Sequence, residues 1–150
     1  MRESWTSRAW RFAFNCFPAY RGTGARCTYI AADWKEIHIK LPLNWRTRNY
    51  VGTIFGGSIY CAVDPMYMIM LIHLLGKDYV VWDKAASIRF RKPGRHTLFA
   101  RFRIDDTELQ HIQQELQQVE KIDRIYLVDL VDEQDTVHAT IEKTIHVRRK

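Results

Sequence analysis

The chain has 150 residues, a length typical of one domain that can bury its own core. Hydrophobic residues make up 47% and charged residues 27%, a balance that excludes wholesale disorder. The formal net charge of +6 favours anionic partners such as phosphates, nucleic acid, an acidic carrier protein or a membrane surface, but it also fits a simply solvated surface.

The first segment, residues 1–20, is predicted to be an amphipathic helix. Ser4 or Thr6 is a candidate N-cap, and Pro18 lies just beyond the end. Two interpretations stay open: a helix packed on the domain's own surface, or a basic aromatic helix lying on a membrane. The segment lacks the long apolar core of a secretory signal. Its apolar positions recur at three- and four-residue steps: Trp5, Ala9, Phe12, Ala13 and Cys16.

Residues 25–41 are predicted to be extended, because Ile37, Ile39 and Leu41 alternate with polar residues. Residues 80–105 then predict two strands joined by a turn at Pro93-Gly94. Apolar residues of the second strand share one face: Leu98, Ala100, Phe102 and Ile104.

A change of period predicts a helix over residues 105–121, where Asp105 and Glu108 resemble a capping box. Strands follow at 124–132 and 136–147, with a turn near Glu133–Asp135. Lys143 is the one polar residue in the apolar phase of the last strand. The helix stripe is Leu109, Ile112, Leu116 and Val119, and the strand face is Val137, Ala139, Ile141, Ile145 and Val147.

Residues 56–75 are predicted to form a very apolar helix, and residues 54–75 approach the length of a bilayer span. However, the segment contains Asp64, and a carboxylate at the bilayer centre costs at least ~2.5 kcal/mol. A helix that is apolar all round is also what a surrounding sheet requires. We therefore predict an α+β fold in one domain, 1–150, with a long antiparallel sheet wrapped around this helix and no transmembrane segment.

The start of this helix and its acid suggest chemistry. The first N–H groups of a helix lack intrahelical partners and can stabilise an oxyanion, and Gly56 and Gly57 would let a substrate approach them. Asp64 lies two turns after Gly57 on the same face, where it is a candidate general base or nucleophile. Pro65 removes a helical N–H and favours a kink. A carboxylate satisfied by structural partners is the alternative that spacing leaves open.

These residues together resemble the hotdog fold, and more narrowly the acyl-CoA thioesterases of the phenylacetate-degradation and human thioesterase-superfamily type. The family pattern is Asn, a few residues, Gly-Thr-x-His-Gly-Gly, and an acid nine residues after the histidine. Asn49, Phe55 and Asp64 reproduce that spacing without a gap. A later I-x-F-x-x-P matches the strand after the family's helix, and the order of elements matches across residues 25–148, with the N-terminal helix as an extra element. The later motif is Ile88, Phe90 and Pro93.

The resemblance implies a role for each matching residue. Asp64 would activate water or attack the thioester, and Gly57 would offer its N–H to the carbonyl, with Gly56 allowing close approach. Asn49 would hold the water or the carbonyl, and Asp83 would assist. In this family the site forms between two subunits, so the resemblance implies a homodimer, or a tetramer of two dimers, with Asn49 facing the partner's acid. The substrate would be a coenzyme A thioester, with no cofactor.

A basic strand and turn offers a phosphate-binding surface for coenzyme A or an acyl carrier protein. The same residues also fit a solvated edge that prevents strand pairing. Aromatic and arginine residues continue at Phe99, Arg101 and Arg103, as in single-stranded nucleic-acid binders, but no nucleic-acid motif accompanies them and we expect none to be bound. The basic residues are Arg89, Arg91, Lys92, Arg95 and His96.

Other chemistries have less support. The cysteines Cys16, Cys27 and Cys61 form no CxxC motif and the six histidines no HExxH, so we expect no metal site, no disulfide framework and a reducing cytoplasm. Cys61 has no base at useful spacing. Because Phe55 replaces the family's histidine, a non-catalytic module that binds acyl-CoA or an acyl carrier is the alternative to a thioesterase. A dehydratase would need a His-and-acid pair that is not evident.

Overall fold

The computed structural model describes residues 2–150; Met1, the first residue of the predicted N-terminal segment, lies outside them. Within the described residues, the helices are α1 (Trp5–Cys16), α2 (Pro18–Gly22), α3 (Gly56–Val63), α4 (Met66–Leu75) and α5 (Asp106–Gln118). The strands are β1 (Arg26–Ile30), β2 (Glu36–Leu41), β3 (Tyr79–Phe90), β4 (Leu98–Arg103), β5 (Lys121–Val131) and β6 (Val137–Arg149).

The six strands form one sheet in the order β1-β2-β4-β5-β6-β3, with antiparallel neighbours throughout. The two strands flanking Pro93-Gly94 are present, but they are not a hairpin. β3 pairs along its length with β6 and forms one edge of the sheet, whereas β4 lies between β2 and β5. The expected turn is therefore a crossover connection between two parts of the sheet.

The predicted central helix is present and packs against this sheet, which gives the α+β hotdog architecture. Met70 and Leu71 of α4 are fully buried, as are inward-facing residues of β2, β4 and β6. Alternation places Ile37, Ile39 and Leu41 in the core, as predicted. By length and composition the span Gly56–Leu75 could cross a membrane, but half of it is buried inside the fold, as in a core helix.

The flanking helices begin at the expected caps. Ser4 caps α1, with reciprocal hydrogen bonds to Ser7, and Asp105 accepts a hydrogen bond from the Glu108 N–H at the start of α5. In α5 the Glu108 carboxylate pairs with Arg124 of β5 instead of closing a capping box. Both helices therefore start where the sequence predicts, and α5 is tied to the sheet by an ion pair.

Candidate active site

Asp64 lies at the break between α3 and α4. Proline at 65 has no N–H to donate to the carbonyl four residues earlier, so α3 ends at Val63 and α4 starts at Met66. The Asp64 side chain is 42% exposed. The break thus places a solvent-accessible carboxylate in the middle of an otherwise apolar helical segment.

The carboxylate is held by a lysine from the last strand. Lys143 of β6 is fully buried, and its Nζ lies 2.6 Å from Asp64 Oδ1 and 2.8 Å from Asp83 Oδ1 of β3. The Tyr60 hydroxyl, one turn before Asp64 on α3, donates a hydrogen bond of 2.7 Å to the same Asp64 Oδ1. These four residues, Tyr60, Asp64, Asp83 and Lys143, are called the Asp64 cluster below.

Burial and charge act in opposite directions within the Asp64 cluster. Burial opposes the charge of Lys143, but the carboxylates of Asp64 and Asp83 outweigh it and raise the pKa of the lysine. Burial raises the pKa of Asp83, and the Lys143 ammonium only partly offsets this. Burial and the hydrogen bond to Asp64 raise the pKa of Tyr60. Lysine and tyrosine are therefore both kept protonated, as donors to Asp64.

This arrangement leaves one carboxylate oxygen available. Both donors contact Oδ1 of Asp64, and among residues 2–150 no side chain or backbone N–H donates to Oδ2. Sequence reasoning missed Lys143 and Tyr60 as partners, although each carried a signal. Lys143 is a lysine in the buried phase of a strand, and Tyr60 lies four residues before Asp64, which is one helical turn.

The N-terminus of α3 presents its first N–H groups without a side-chain cap in the described chain. Phe55 is the N-cap residue, and its ring lies where a Cβ at Gly57 would be. A Cβ at Gly56 would come within 2.9 Å of the Phe90 ring. The two glycines thus allow aromatic rings to approach the backbone of the helix, and Phe55, which is 56% exposed, covers Gly57.

Asn49 is used by its own loop. Its side-chain oxygen accepts hydrogen bonds from the N–H groups of Val51 and Thr53, and its amide donates to the Thr53 hydroxyl at 2.9 Å. This loop borders a cleft of about 370 Å³ beside the start of α3. Other residues lining the cleft include Gly56, Ile59, Phe90, Arg91 and Lys92. The structure therefore brings together the predicted Asn49, Gly56, Arg91 and Lys92.

Other predicted residues lie elsewhere. Arg95 lines a different concavity, beside His96 and the acidic Asp132 and Glu133. Arg89 is exposed on β3 and is not among the residues that line the cleft. Cys61 is exposed on α3, and burial together with Asp64 raises the pKa of its thiol, which disfavours the thiolate. Residues 2–150 contain no group of three or more His, Cys, Asp or Glu side chains placed to hold a metal ion.

Within one chain the Asp64 cluster and the cleft are separate. Gly57 and Asp64 are seven residues apart, about 10 Å along a helix, and Asp64 does not line the cleft. β3 is an open edge of the sheet, and Ala85, Ala86 and Ser87 near its centre are exposed. A chain that pairs with this edge would lie next to Asp83, which is on the same strand.

Comparisons with known proteins agree with this architecture. The profile of a family described as a domain of unknown function (DUF4442) matches residues 6–147. Comparison with curated proteins gives no sequence match. The whole fold is similar to a Pseudomonas aeruginosa protein of unknown function titled a probable thioesterase, with a TM-score of 0.83, 18% identity, and 99% of this chain and 98% of that chain covered.

Two further solved structures have the same fold. A thioesterase from Haemophilus influenzae aligns with a TM-score of 0.70 and 13% identity, covering 98% of this chain and 93% of its own. Mouse thioesterase superfamily member 2 aligns with a TM-score of 0.68 and 15% identity, covering 95% of this chain and 98% of its own. The resemblance drawn from the sequence motifs is therefore confirmed at the level of the fold.

Proposed function

We propose that this chain, which belongs to the DUF4442 family and has the hotdog fold, hydrolyses acyl thioesters with the Asp64 carboxylate as general base. The observation that carries the proposal is the Asp64 cluster: an accessible carboxylate with one oxygen fixed by Lys143 and Tyr60 and the other available. Fixing one oxygen orients the carboxylate, so that the other oxygen can accept a proton from water.

The proposed reaction has three steps. Asp64 Oδ2 accepts a proton from water as the water oxygen bonds to the thioester carbonyl carbon. The oxyanion that forms is stabilised by the Gly57 N–H at the uncapped start of α3. The carbon–sulfur bond then breaks, and the thiolate takes the proton that Asp64 accepted. The products are a carboxylic acid and a thiol, and the reaction needs no cofactor.

We propose that the complete site forms between two copies of this chain. β3 of each copy would pair with β3 of the other, which would extend the sheet and cover both open edges. The cleft that holds Asn49, Arg91 and Lys92 would then belong to one copy and the acting Asp64 to its partner. The separation of the two features within one chain supports this arrangement, and dimers could pair further into tetramers.

The substrate class in this proposal is acyl-coenzyme A. Arg91 and Lys92 border the cleft next to the α3 N-terminus, and together they form a cationic place for coenzyme A phosphates. An acyl carrier protein would present the same thioester on a phosphopantetheine arm. The three free cysteines fit a reducing compartment such as the cytoplasm.

A second candidate function is acyl-CoA binding without turnover. Two observations favour it. The Phe55 ring covers Gly57, whose N–H would stabilise the oxyanion, and the Asn49 side chain forms its hydrogen bonds within its own loop instead of with a substrate. In this alternative the Asp64 cluster would be a structural ion network that ties β6 and β3 to the central helix.

The experiment that separates the two functions measures release of free coenzyme A from short, medium, long and aromatic acyl-CoAs. Chromatography is the suitable readout, because exposed Cys16 and Cys61 would themselves react with a thiol reagent. Release from any member of the panel supports hydrolysis. Absence of release, together with saturable coenzyme A binding by calorimetry, would support the binding module. Absence of both release and binding would show that acyl-CoA is neither a substrate nor a ligand.

A further inference from the structure

The inward side of helix α1 combines polar contacts with two aromatic residues: Phe14 packs against the core, and Trp10 contacts Trp34. Ser7 is 1% exposed, and the Asn15 side chain exchanges two hydrogen bonds of 2.8 Å with the backbone of Cys27 on β1. Glu3, which precedes the helix, pairs with Arg11 at 2.8 Å and accepts a hydrogen bond from the Ile30 N–H. These contacts fix which side of α1 faces the protein.

The opposite side of α1 is apolar and faces outward. Trp5 is 84% exposed and Phe12 is 72% exposed. The outward positions are those that the sequence periodicity groups together, namely Trp5, Ala9, Phe12, Ala13 and Cys16, and all five are exposed. These residues are called the α1 stripe below. An ordinary surface helix turns its apolar residues toward the core alone, whereas α1 carries apolar residues on its outward side as well.

Aromatic and basic side chains continue beside the α1 stripe. Phe17, between α1 and α2, is 56% exposed. The Arg46 guanidinium donates to the carbonyl of Arg21 on α2 and lies 6.0 Å from the ring centroid of Trp45, which is 84% exposed. The patch therefore extends from α1 across α2 to the loop that follows β2.

The charge around the patch is positive. Residues 2–23 contain four arginines and one acid, Glu3, which already pairs with Arg11 and lies 3.8 Å from Arg8. Arg2, Arg8 and Arg21 are exposed. A second copy of this chain seated symmetrically on the patch would bring these arginines against their own equivalents, which is unfavourable. An anionic surface complements them.

We propose that the α1 stripe binds an anionic lipid surface, with α1 lying in the plane of the bilayer interface. Tryptophan and phenylalanine side chains are favoured at the boundary between headgroups and hydrocarbon, and nearby arginines are attracted to anionic headgroups. Peripheral attachment of this kind leaves Gly56–Leu75 in the core of the sheet. It is independent of thioester hydrolysis and would hold whichever reaction the Asp64 cluster performs.

The test is co-sedimentation of the full chain with vesicles of phosphatidylcholine alone and of phosphatidylcholine mixed with phosphatidylserine. The Trp5→Ser/Phe12→Ser variant removes the two large exposed rings. The matched control, Ile125→Ser/Leu127→Ser, removes two apolar side chains of β5 that are 63% and 65% exposed. All four residues are on the surface, so both variants should fold, which circular dichroism verifies.

The expected result is binding to the mixed vesicles that weakens with added salt. Partitioning should fall about tenfold or more in the α1 variant, because two large apolar groups no longer leave water, and it should be unchanged in the control. Absence of binding to the mixed vesicles, or equal loss in both variants, would overturn the proposal. A lower molecular mass for the α1 variant by light scattering would also overturn it, because the stripe would then be a contact between copies.

Discussion

Lys143 joins the middle of the last strand to the break in the central helix, with its Nζ 2.6 Å from Asp64 Oδ1. The lysine is fully buried and also pairs with Asp83 at 2.8 Å. One side chain therefore fixes the candidate base, the edge strand and the helix relative to one another. Removing it would leave two carboxylates close together with no cation between them.

We expect Lys143→Met to destabilise the protein by about 3 kcal/mol. This value is at the lower end of the range for a buried ion pair that loses one partner, because water screens the half-exposed Asp64. Urea unfolding measures the effect. Lys84→Met is the matched control, because Lys84 forms a surface pair with Asp123, and its loss should change stability far less. Asp83→Asn in the Lys143→Met background should restore part of the loss; equal effects of the two lysine substitutions would contradict the account.

The Tyr60 hydroxyl should affect the base more than the fold. Tyr60→Phe removes the 2.7 Å hydrogen bond that holds Oδ1 of Asp64. We expect kcat/KM for thioester hydrolysis to fall by about tenfold, because Lys143 alone then orients the carboxylate, with a stability change of only about 1 kcal/mol. An unchanged kcat/KM would mean that Tyr60 does not position the base.

Local sequence patterns were sufficient to predict most helices and strands, but they did not predict which strands pair with each other. Alternation placed Ile37 and Ile39 in the core, and capping chemistry located the starts of α1 and α5. The pairing of β3 with β6 could not be predicted, because a turn at Pro93-Gly94 says nothing about which strand a chain joins after a crossover.

The candidate site shows the same division. Glycine and acid spacing along one helix singled out Asp64, whereas its partner Lys143 is 79 residues away in sequence and is brought to it by the sheet. The side of α1 that faces the sheet also could not be predicted from the sequence, because it depends on the hydrogen bonds between Asn15 and β1. The catalytic role of Asp64 stays a prediction.

Dimerisation through β3 predicts the behaviour of an edge substitution. Ala85→Glu places a charge on the exposed centre of β3, where a symmetric interface brings it near its own copy. We expect a monomer by light scattering and loss of thioester hydrolysis. Ala32→Glu makes the same change at an exposed turn and should alter neither property; a dimer that survives Ala85→Glu would place the interface elsewhere.

His73 predicts a pH dependence of stability. Its imidazole stacks on Trp34 with ring centroids 3.5 Å apart, and burial lowers its pKa. Below a pH of about 6.5 the unfolded chain therefore binds a proton at this position more readily than the folded chain, so stability falls as pH decreases. His73→Phe keeps a stacked ring without a titrating group. The difference in unfolding free energy between wild type and variant should change between neutral and mildly acidic pH; a constant difference would contradict this.

The most direct test of the central claim compares release of free coenzyme A by the wild type, Asp64→Asn and the exposed-surface control Glu120→Gln. Asparagine keeps the size of the side chain but cannot accept the proton from water. We expect Asp64→Asn to lower kcat by roughly 10²–10⁴-fold, with coenzyme A binding unchanged, and Glu120→Gln to leave both kcat and binding unchanged. Equal turnover by Asp64→Asn and the wild type would show that Asp64 is not the base.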